Sequence, residues 1–251
     1  MSPAVRALAR AHDVRPCSLN TARRRTGTTG TLHPFFEAWH ASLDRLVEGL
    51  ERPVPLVGVS FGGVVALTYA AARPERVSHL VLVSTPAPGF QLDPQQIGYL
   101  RWPMLSAPLF ALRAIGRLAP EVTRSLPSLG ARTRFAVTYV GRTLRYPSSP
   151  RLMAGWVREW MSCNLAESCR LVSAPTLVVT GDPVLDHVVP VTNTREYLRL
   201  IGGASHATLP DTGHIGLLLK PEQFAEIVTE FISRTDHRVI SAGEGPTDTC
   251  R

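Results

Sequence analysis

Lysine and cysteine are both scarce in this chain of 251 residues. Lys220 is the only lysine, so the positive charge is almost entirely arginine. The four cysteines show no metal-binding spacing, since Cys163 and Cys169 lie six residues apart, too far for a C-x-x-C pair. We therefore expect free, reduced thiols. There is also no H-E-x-x-H motif, and no G-x-G-x-x-G motif follows a strand, so we expect neither a metal nor another cofactor.

Long apolar runs are absent as well. No uninterrupted apolar stretch approaches the ~20 residues that a membrane-spanning helix needs. Residues 1–15 mix Arg, His and Asp with alanines and lack the apolar core of a secretory signal. The length suits one large α/β domain, and the 44% of hydrophobic residues argues against general disorder. We expect a cytoplasmic protein with no membrane partner.

Acidic residues are rare in the middle of the chain. Residues 101–160 contain ten arginines against Glu121 and Glu159, a local balance of +8, and the whole chain has a net charge of +7. Such a segment suits nucleic acid, a membrane surface or an acidic substrate. No aromatic stacking platform or nucleic-acid motif accompanies it. We interpret it as a solvated basic surface and expect no nucleic-acid partner, with a basic nucleic-acid binder as a weaker alternative.

The most informative stretch is 58–63, Gly-Val-Ser-Phe-Gly-Gly, which contains a G-x-S-x-G motif. The apolar run over 54–59 predicts a strand before it, and the run over 63–72 predicts a helix after it. A serine on such a sharp turn has strained backbone geometry, and the neighbouring glycines leave room for it. Ser60 then projects above the sheet as a nucleophile. The N–H of Phe61, at the start of the helix, points to where an oxyanion forms.

The rest of the chain alternates helical and strand patterns. Helices are predicted over 3–10, 33–50, 191–201 and 221–232, and strands over 13–19, 54–59, 77–83, 174–180 and 205–209. The stretch from about residue 89 to 170 is helical, and its prolines are expected to divide it into short pieces. These prolines are at positions 94, 103, 108, 120, 127, 147 and 150.

A serine hydroxyl is a poor nucleophile at pH 7. It needs a base in contact and a third group that holds the base. His214 is the preferred base, because it follows a strand and lies on a turn flanked by glycines. His206 falls inside a strand pattern, where packing explains it, and His187 adjoins an acid that it cannot easily face. The candidate acids are Asp182 and Asp186.

These motifs resemble those of the α/β-hydrolase family. The matching stretches are 58–63, 181–190 and 211–214, in the order Ser, Asp, His, which is the chain order of that fold. The resemblance covers about residues 3–233. It implies an α/β fold with a mostly parallel sheet flanked by helices and with an inserted helical cap. The motifs are specific for the fold and the nucleophile but weak for the substrate.

The resemblance also bears on the acid. In the family, this residue is an aspartate followed by apolar residues and then a proline four positions on. Val-Val-Pro at 188–190 gives Asp186 that pattern, which implies a triad of Ser60, Asp186 and His214. The turn before Asp186 is longer than the family's usual one by about two residues. Asp182 therefore stays an alternative, and either aspartate has the simpler interpretation of a loop residue that binds backbone N–H groups.

The resemblance divides the chain into four parts. Residues 1–86 are the first part of the core, and residues 87–165 are the helical cap. Residues 166–233 are the second part of the core, with the acid and histidine loops, and residues 234–251 are a disordered tail. The alternative for 87–165 is a set of ordinary helices on the face of the sheet. The prolines and the absence of a strand pattern favour the cap.

One departure from the family concerns the beginning of the sequence. The family's second oxyanion donor comes from a loop, often His-Gly, that follows an earlier strand. No His-Gly dipeptide precedes Ser60 here, and no apolar strand pattern that ends in a Gly-rich turn does so either. We expect one of two explanations: this sequence begins inside a longer protein, or the protein is a relative that lacks the N-terminal strands and a complete oxyanion hole. The strand over 54–59 would then lack a central neighbour, and its unpaired backbone groups would cost ~1–3 kcal/mol each. We expect residues 13–19 to slide over and pair with it, or the chain to be poorly soluble and inactive.

The leading hypothesis is a serine hydrolase that acts through an acyl-enzyme. Its expected partner is a small-molecule acyl substrate, namely an ester, thioester, lactone or activated C–C bond, because a serine nucleophile supports acyl transfer through a tetrahedral oxyanion. The alternative is a non-catalytic or impaired hydrolase-like protein without a complete oxyanion hole. Losing one oxyanion donor costs about 3–4 kcal/mol of transition-state stabilisation.

Overall fold

The computed structural model describes residues 2–17, 34–145 and 149–243. Its strands are β1 (Val54–Val59), β2 (Val77–Val83), β3 (Thr176–Thr180) and β4 (Ser205–Thr208). The helices of the first half are α1 (Pro3–Leu8), α2 (Glu37–Val47), α3 (Phe61–Ala72), α4 (Pro94–Arg101), α5 (Pro103–Ser125) and α6 (Leu129–Arg145). Those of the second half are α7 (Pro150–Met161), α8 (Leu165–Leu171), α9 (Val191–Thr194), α10 (Tyr197–Leu200), α11 (Gly216–Leu219) and α12 (Pro221–Gly243).

The strands form one parallel sheet in the order β1-β2-β3-β4. The carboxyl ends of the first three strands are aligned, because Val59 is opposite Val83 and Val83 is opposite Val179. β2 and β3 lie inside the sheet and are almost wholly buried, which explains their continuous apolar sequences. Helices pack on both faces of the sheet. The predicted fold class, an α/β fold with a parallel sheet flanked by helices, is confirmed.

Alternate side chains of β2 contribute to two separate cores, because successive residues of a strand point to opposite faces. Leu80 and Leu82 pack on the side of α3 and α8. Val81 and Val83 pack on the side of α1 and α12, where they join Phe224. Leu80, Val81 and Leu82 are all fully buried. The sheet is therefore covered on both faces and holds its carboxyl edge rigidly.

The predicted strand over 13–19 is wrong over residues 13–17, which follow α1 without strand structure; residues 18 and 19 lie outside the described part of the chain. Pro16 has no N–H to give to a ladder. Arg15 is instead held towards α2, because its Nη1 donates a hydrogen bond to the carbonyl of Leu46 at 2.8 Å.

The outer edge of β1 is open in the described residues, since β1 pairs only with β2 there. A cavity of about 720 Å³ runs along this edge. Leu8 and Val14 line it from the N-terminal segment, and Leu56 and Val57 line it from β1. The expected pairing of 13–19 with β1 is therefore not formed over 13–17, and both segments line this cavity.

Several predicted helix boundaries are corrected. α5 continues through Pro108 and Pro120 instead of breaking at them. The carbonyls that lose a partner there belong to Met104 and Gly116, both exposed, so water can satisfy them. The helix predicted over 191–201 is split into α9 and α10. α12 runs on to Gly243, so the predicted tail is wrong over 234–243, and the rest of it lies outside the described residues.

Four helices, α4 to α7, fill the sequence between β2 and α8, and we call them the inserted helices. The boundaries predicted for a cap, residues 87 and 165, stay predictions. Of the helices in the described ranges, none is both long and apolar enough to span a bilayer.

Candidate active site

Ser60 lies on the sharp turn between β1 and α3, as the sequence predicts. Its backbone has φ 52° and ψ −126°, a conformation that non-glycine residues rarely adopt. Two backbone hydrogen bonds hold the turn. The N–H of Ser60 donates to the carbonyl of Val83 at 2.9 Å, and the N–H of Gly63 donates to the carbonyl of Ser60 at 2.9 Å. The strained turn is thus anchored to β2, and the sheet fixes the position of Oγ.

Two glycines make this turn possible because their neighbours leave no space for a side chain. A Cβ on Gly58 would lie 2.5 Å from the Cα of Gly63. A Cβ on Gly63 would overlap the side chain of Thr85, which is fully buried. Gly63 therefore lets the start of α3 pack closely against Thr85, just beyond the end of β2.

His214 is brought between Ser60 and Asp186. Its Nε2 lies 3.1 Å from Ser60 Oγ, and its Nδ1 lies 3.4 Å from Asp186 Oδ2. The side chain of Asp186 is 1% exposed, and its Oδ1 accepts the N–H groups of Val188 and Val189 at 3.0 Å each. Because the anchored carboxylate accepts a hydrogen bond, Nδ1 of His214 is the donor to it. Nε2 of His214 is then the acceptor towards the hydroxyl of Ser60.

Asp182, the alternative acid, contacts the histidine loop at a different place. Its Oδ2 accepts the N–H of Asp211 at 2.8 Å, and its own N–H donates to the carbonyl of Thr212 at 2.7 Å. Its carbonyl accepts the N–H groups of Leu185 and Asp186, which closes a helical turn. This turn accommodates the extra residues that the sequence shows before Asp186. Asp182 therefore binds backbone N–H groups, as the simpler interpretation predicts.

The competing histidines are both elsewhere. His206 lies in β4, where its Nε2 is 2.9 Å from Thr180 Oγ1. Burial lowers the pKa of His206, and the nearby Arg195 lowers it further. His187 is exposed at the surface. Of the three histidines, only His214 contacts Ser60.

The loop that carries Asp186 and the loop that carries His214 touch through two glycines. A Cβ on Gly181 would overlap the carbonyl of Thr212, and a Cβ on Gly213 would overlap the carbonyl of Leu185. These close approaches place Asp186 within reach of the histidine. The sequence motifs contain both glycines, but only the folded chain shows that they face each other's loops.

Phe61 is the first residue of α3, so its N–H has no acceptor within the helix. This N–H is the predicted oxyanion donor. The ring of Phe61 stacks on Trp156 of α7, with centroids 5.9 Å apart and planes at 6°, and meets Trp39 edge-on at 5.7 Å. The residue that follows the serine is therefore held by an aromatic cluster that also includes one of the inserted helices.

Glu121, on α5, is a site residue that the sequence analysis missed. Its side chain is fully buried, and its two carboxylate oxygens lie 3.0 and 3.2 Å from the N–H of Ile215, the residue after His214. Burial raises the pKa of Glu121, and hydrogen bonds from the N–H groups of Gly213 and Ile215 oppose that rise. In the sequence, one feature marks Glu121: it is one of two carboxylates among the ten arginines of residues 101–160.

The end of α5 also binds the start of the histidine loop. Arg124 Nε donates to Asp211 Oδ1 at 2.9 Å, and Ser125 Oγ donates to the carbonyl of Asp211 at 2.6 Å. Hydrogen bonds from Arg124 and Lys220 hold the pKa of Asp211 below its usual range. With Glu121, α5 thus contacts the loop on both sides of His214.

Replacing Glu121 with alanine is expected to lower kcat about tenfold, corresponding to about 1.4 kcal/mol, with little change in KM. The variant leaves the buried N–H of Ile215 without an acceptor, which costs ~1–3 kcal/mol and loosens the loop that carries His214. Steady-state kinetics on a p-nitrophenyl ester measure both parameters.

Arg124→Ala is the matched control for Glu121→Ala. It removes a contact from the same helix to the same loop, but an exposed ion pair contributes only about 0–1 kcal/mol. We expect near-parental kcat for Arg124→Ala and partial recovery for Glu121→Gln, whose carbonyl oxygen still accepts the N–H. Equal kcat losses in Glu121→Ala and Arg124→Ala would contradict a specific effect of Glu121 on the histidine.

A pocket of about 270 Å³ opens beside His214. Its walls are mostly apolar side chains of the inserted helices, including Leu109, Leu118 and Met153. Arg117 lines the pocket too, but its Nη2 is paired with Asp93 Oδ2 at 2.6 Å. The space next to His214 therefore suits a small, largely apolar group.

Comparison with known proteins agrees with this fold. A poly(3-hydroxyalkanoate) depolymerase of Ectopseudomonas oleovorans is 29% identical over 221 residues, which is 85% of this chain and 74% of that protein. A pyrrolizixenacetamide deacetylase of Xenorhabdus hominickii is 27% identical over 184 residues, which is 73% of this chain and 67% of that protein. A thermophilic esterase from Thermogutta terrifontis has a similar structure, with a TM-score of 0.63 and 21% identity, over 84% of this chain and 75% of the esterase.

A family model covers most of the sequence. The model described as the alpha/beta hydrolase family matches residues 4–227. The sheet, the turn at Ser60 and the chain order of the motifs agree with this match. The chain belongs to the alpha/beta hydrolase family.

Proposed function

We propose that the protein is a serine hydrolase that cleaves acyl substrates through an acyl-enzyme. The observation that carries the proposal is the contact series from Ser60 Oγ to His214 Nε2, at 3.1 Å, and from His214 Nδ1 to Asp186 Oδ2, at 3.4 Å. A nucleophile, a base and a group that orients the base are the three parts that serine catalysis requires. Their convergence at a strained turn adds weight, because such strain persists at functional sites.

The proposed reaction has two halves. Ser60 Oγ attacks the acyl carbon and gives its proton to His214 Nε2, and the N–H of Phe61 binds the developing oxyanion. His214 then returns the proton to the leaving alcohol, amine or thiol, which departs and leaves an ester on Ser60. A water molecule then gives a proton to His214 Nε2 and attacks the acyl carbon of that ester, and His214 returns the proton to Ser60 Oγ as the carboxylic acid leaves. Asp186 stabilises the imidazolium in both halves.

The substrate we propose is a small-molecule ester, thioester, lactone or related acyl compound. The apolar pocket beside His214 suits the acyl group. The name of one relative, a deacetylase, denotes removal of an acyl group, which supports acyl chemistry for this site. The inserted helices supply most of the pocket wall, and we propose that they act as a cap over the site.

Labelling with a fluorophosphonate probe tests the proposal, because the probe reacts with an activated serine. We expect wild-type protein to be labelled at Ser60, and Ser60→Ala to be unlabelled. Ser162→Ala is the matched control, because Ser162 is exposed and its Oγ donates only to the carbonyl of Glu159. It should be labelled like the wild type.

The second candidate function is a non-catalytic hydrolase-like binding protein. The sequence favours it in one respect, since no His-Gly dipeptide precedes the serine to supply a second oxyanion donor. The same labelling experiment separates the two functions. Folded wild-type protein with a cooperative melting transition and no label on Ser60 would support the binding protein and overturn the hydrolase.

A further inference from the structure

α5 carries several large apolar residues on the side that faces away from the protein. Leu105 is 82% exposed, Leu112 is 66% exposed and Ile115 is 61% exposed. The opposite side, which faces the site, carries the buried carboxylate of Glu121 and the paired guanidinium of Arg117. An amphipathic helix at the surface of a soluble protein normally has the reverse arrangement. The outer face of α5 therefore has the composition of a covered surface.

The neighbouring inserted helices show the same feature. On α6, Val137 and Val140 are exposed, and on α7 Leu152 is exposed. Scattered exposed apolar residues need no explanation, but a large contiguous set marks an interaction site. We call eleven of the exposed apolar side chains of α5, α6 and α7 the outer face. Its members are Met104, Leu105, Leu109, Leu112, Ile115, Leu129, Val137, Tyr139, Val140, Leu152 and Met153.

The charge of these helices limits what can cover the outer face. Residues 101–160 carry ten arginines and two glutamates. Glu121 is fully buried, so Glu159 is the only acidic side chain of this segment at the surface. A second copy would bring two strongly basic faces together, and like charges oppose that contact. The arginines favour a cover that is negatively charged. The exposed apolar residues favour a cover that also has an apolar part.

We propose that the outer face docks on an anionic lipid surface. A helix that lies in a membrane interface has an apolar side with leucines and basic side chains that meet lipid headgroups. Arg113, which is exposed beside Leu112, fits the headgroup position. Nucleic acid fits less well, because single-strand binders stack bases on aromatic rings and this face is mainly aliphatic. The expectations from the sequence were a solvated basic surface and no membrane partner, and this proposal departs from both.

The outer face is continuous with the pocket. Leu109, Arg113 and Met153 are exposed and also line the cavity that contains His214. Docking would place the mouth of the pocket against the lipid. The inference about the substrate rests on the proposed function. The substrate class then becomes an ester whose acyl chain lies in that lipid. The docking step itself does not depend on catalysis.

Vesicle sedimentation of the full chain tests the docking without any substrate. We expect the protein to sediment with phosphatidylcholine vesicles that contain phosphatidylglycerol, and to stay in solution with phosphatidylcholine alone. Added salt should weaken binding, because it screens the headgroup charge. Ser60→Ala should sediment like the wild type, so a failure of the hydrolase proposal does not affect this result.

Variants locate the contact. Leu105→Ser and Leu112→Ser should each reduce the fraction bound by about tenfold, since each loses an apolar side chain that enters the interface. Leu171→Ser is the matched control, because Leu171 is an exposed leucine outside the outer face, and it should bind like the wild type.

Three outcomes would overturn the proposal. The first is equal sedimentation with neutral and anionic vesicles, and the second is unchanged binding of Leu105→Ser and Leu112→Ser. The third is a dimer in sedimentation velocity that Leu112→Ser dissociates, since a second copy would then cover the face. Thermal melting of each variant confirms that the protein under test is folded.

Discussion

Replacing Ser60 with alanine is expected to lower kcat for a p-nitrophenyl ester by about 10⁶-fold, the scale seen when a serine nucleophile is removed elsewhere. Ser60 Oγ is the atom that forms the acyl-enzyme in the proposed reaction, and alanine has no atom to replace it. The melting temperature should change little. The turn is held by the backbone bonds to Val83 and Gly63, which alanine preserves.

The control for this experiment is a second serine. Ser162→Ala removes an exposed hydroxyl just after the end of α7 and should leave kcat unchanged. Hydrolysis by Ser60→Ala at the parental rate would show that the nucleophile is a different group. A loss of activity together with a collapsed melting transition would instead show unfolding, so the melting temperature is measured on the same preparation.

Asp186→Asn is expected to lower kcat by about 10⁴-fold, because the orienting carboxylate fixes the tautomer of the base. Asparagine has the shape of aspartate, and its carbonyl oxygen still accepts the N–H groups of Val188 and Val189. Its amide group, however, presents hydrogens to His214 Nδ1, which favours the wrong tautomer. The loss should therefore appear in kcat at nearly parental stability.

Asp182→Asn is the matched control, since it is the same chemical change four residues away. Its side-chain oxygen keeps the hydrogen bond from the N–H of Asp211, so we expect less than about a tenfold loss in kcat, within the ~0.5–1.5 kcal/mol of a typical hydrogen bond. Comparison of the two variants under identical conditions ranks the acids. A larger loss in Asp182→Asn would move the role of the acid to that residue.

The parallel strands were the elements that the sequence predicted best. The bounds of β1 and β2 agree with the predicted ranges 54–59 and 77–83. A central parallel strand is buried on both faces, so its apolar run begins and ends with the strand itself. Helix ends were predicted less well, because proline at 108 and 120 was taken as a break. Those positions lose one hydrogen bond each at exposed turns, which the helix tolerates.

In the candidate site, too, some features were predicted from the sequence and others were not. The turn at Ser60 was predicted from its local motif, because a strand, the G-x-S-x-G sequence and a helix encode that backbone geometry. The approach of His214 to Asp186 was implied by the resemblance to the α/β-hydrolase family, which left Asp182 as an alternative. Glu121 was not predicted, since its contact with Ile215 joins residues 94 positions apart. The N-terminal prediction failed over 13–17 because pairing depends on which segments pack together, and a short apolar pattern does not specify a partner.

The sequence by itself determined the strand-turn-helix at Ser60, the order of the motifs and the excess of arginine between residues 101 and 160. Each of these depends on neighbours in the chain. The tertiary structure alone decided which side of α5 is covered. Periodicity shows that Leu105, Leu109 and Leu112 share a face of the helix, but it does not show which face the rest of the protein packs against. In the folded chain the buried carboxylate of Glu121 faces inward and binds the backbone N–H beside His214, so the leucines on the opposite side of α5 face outward.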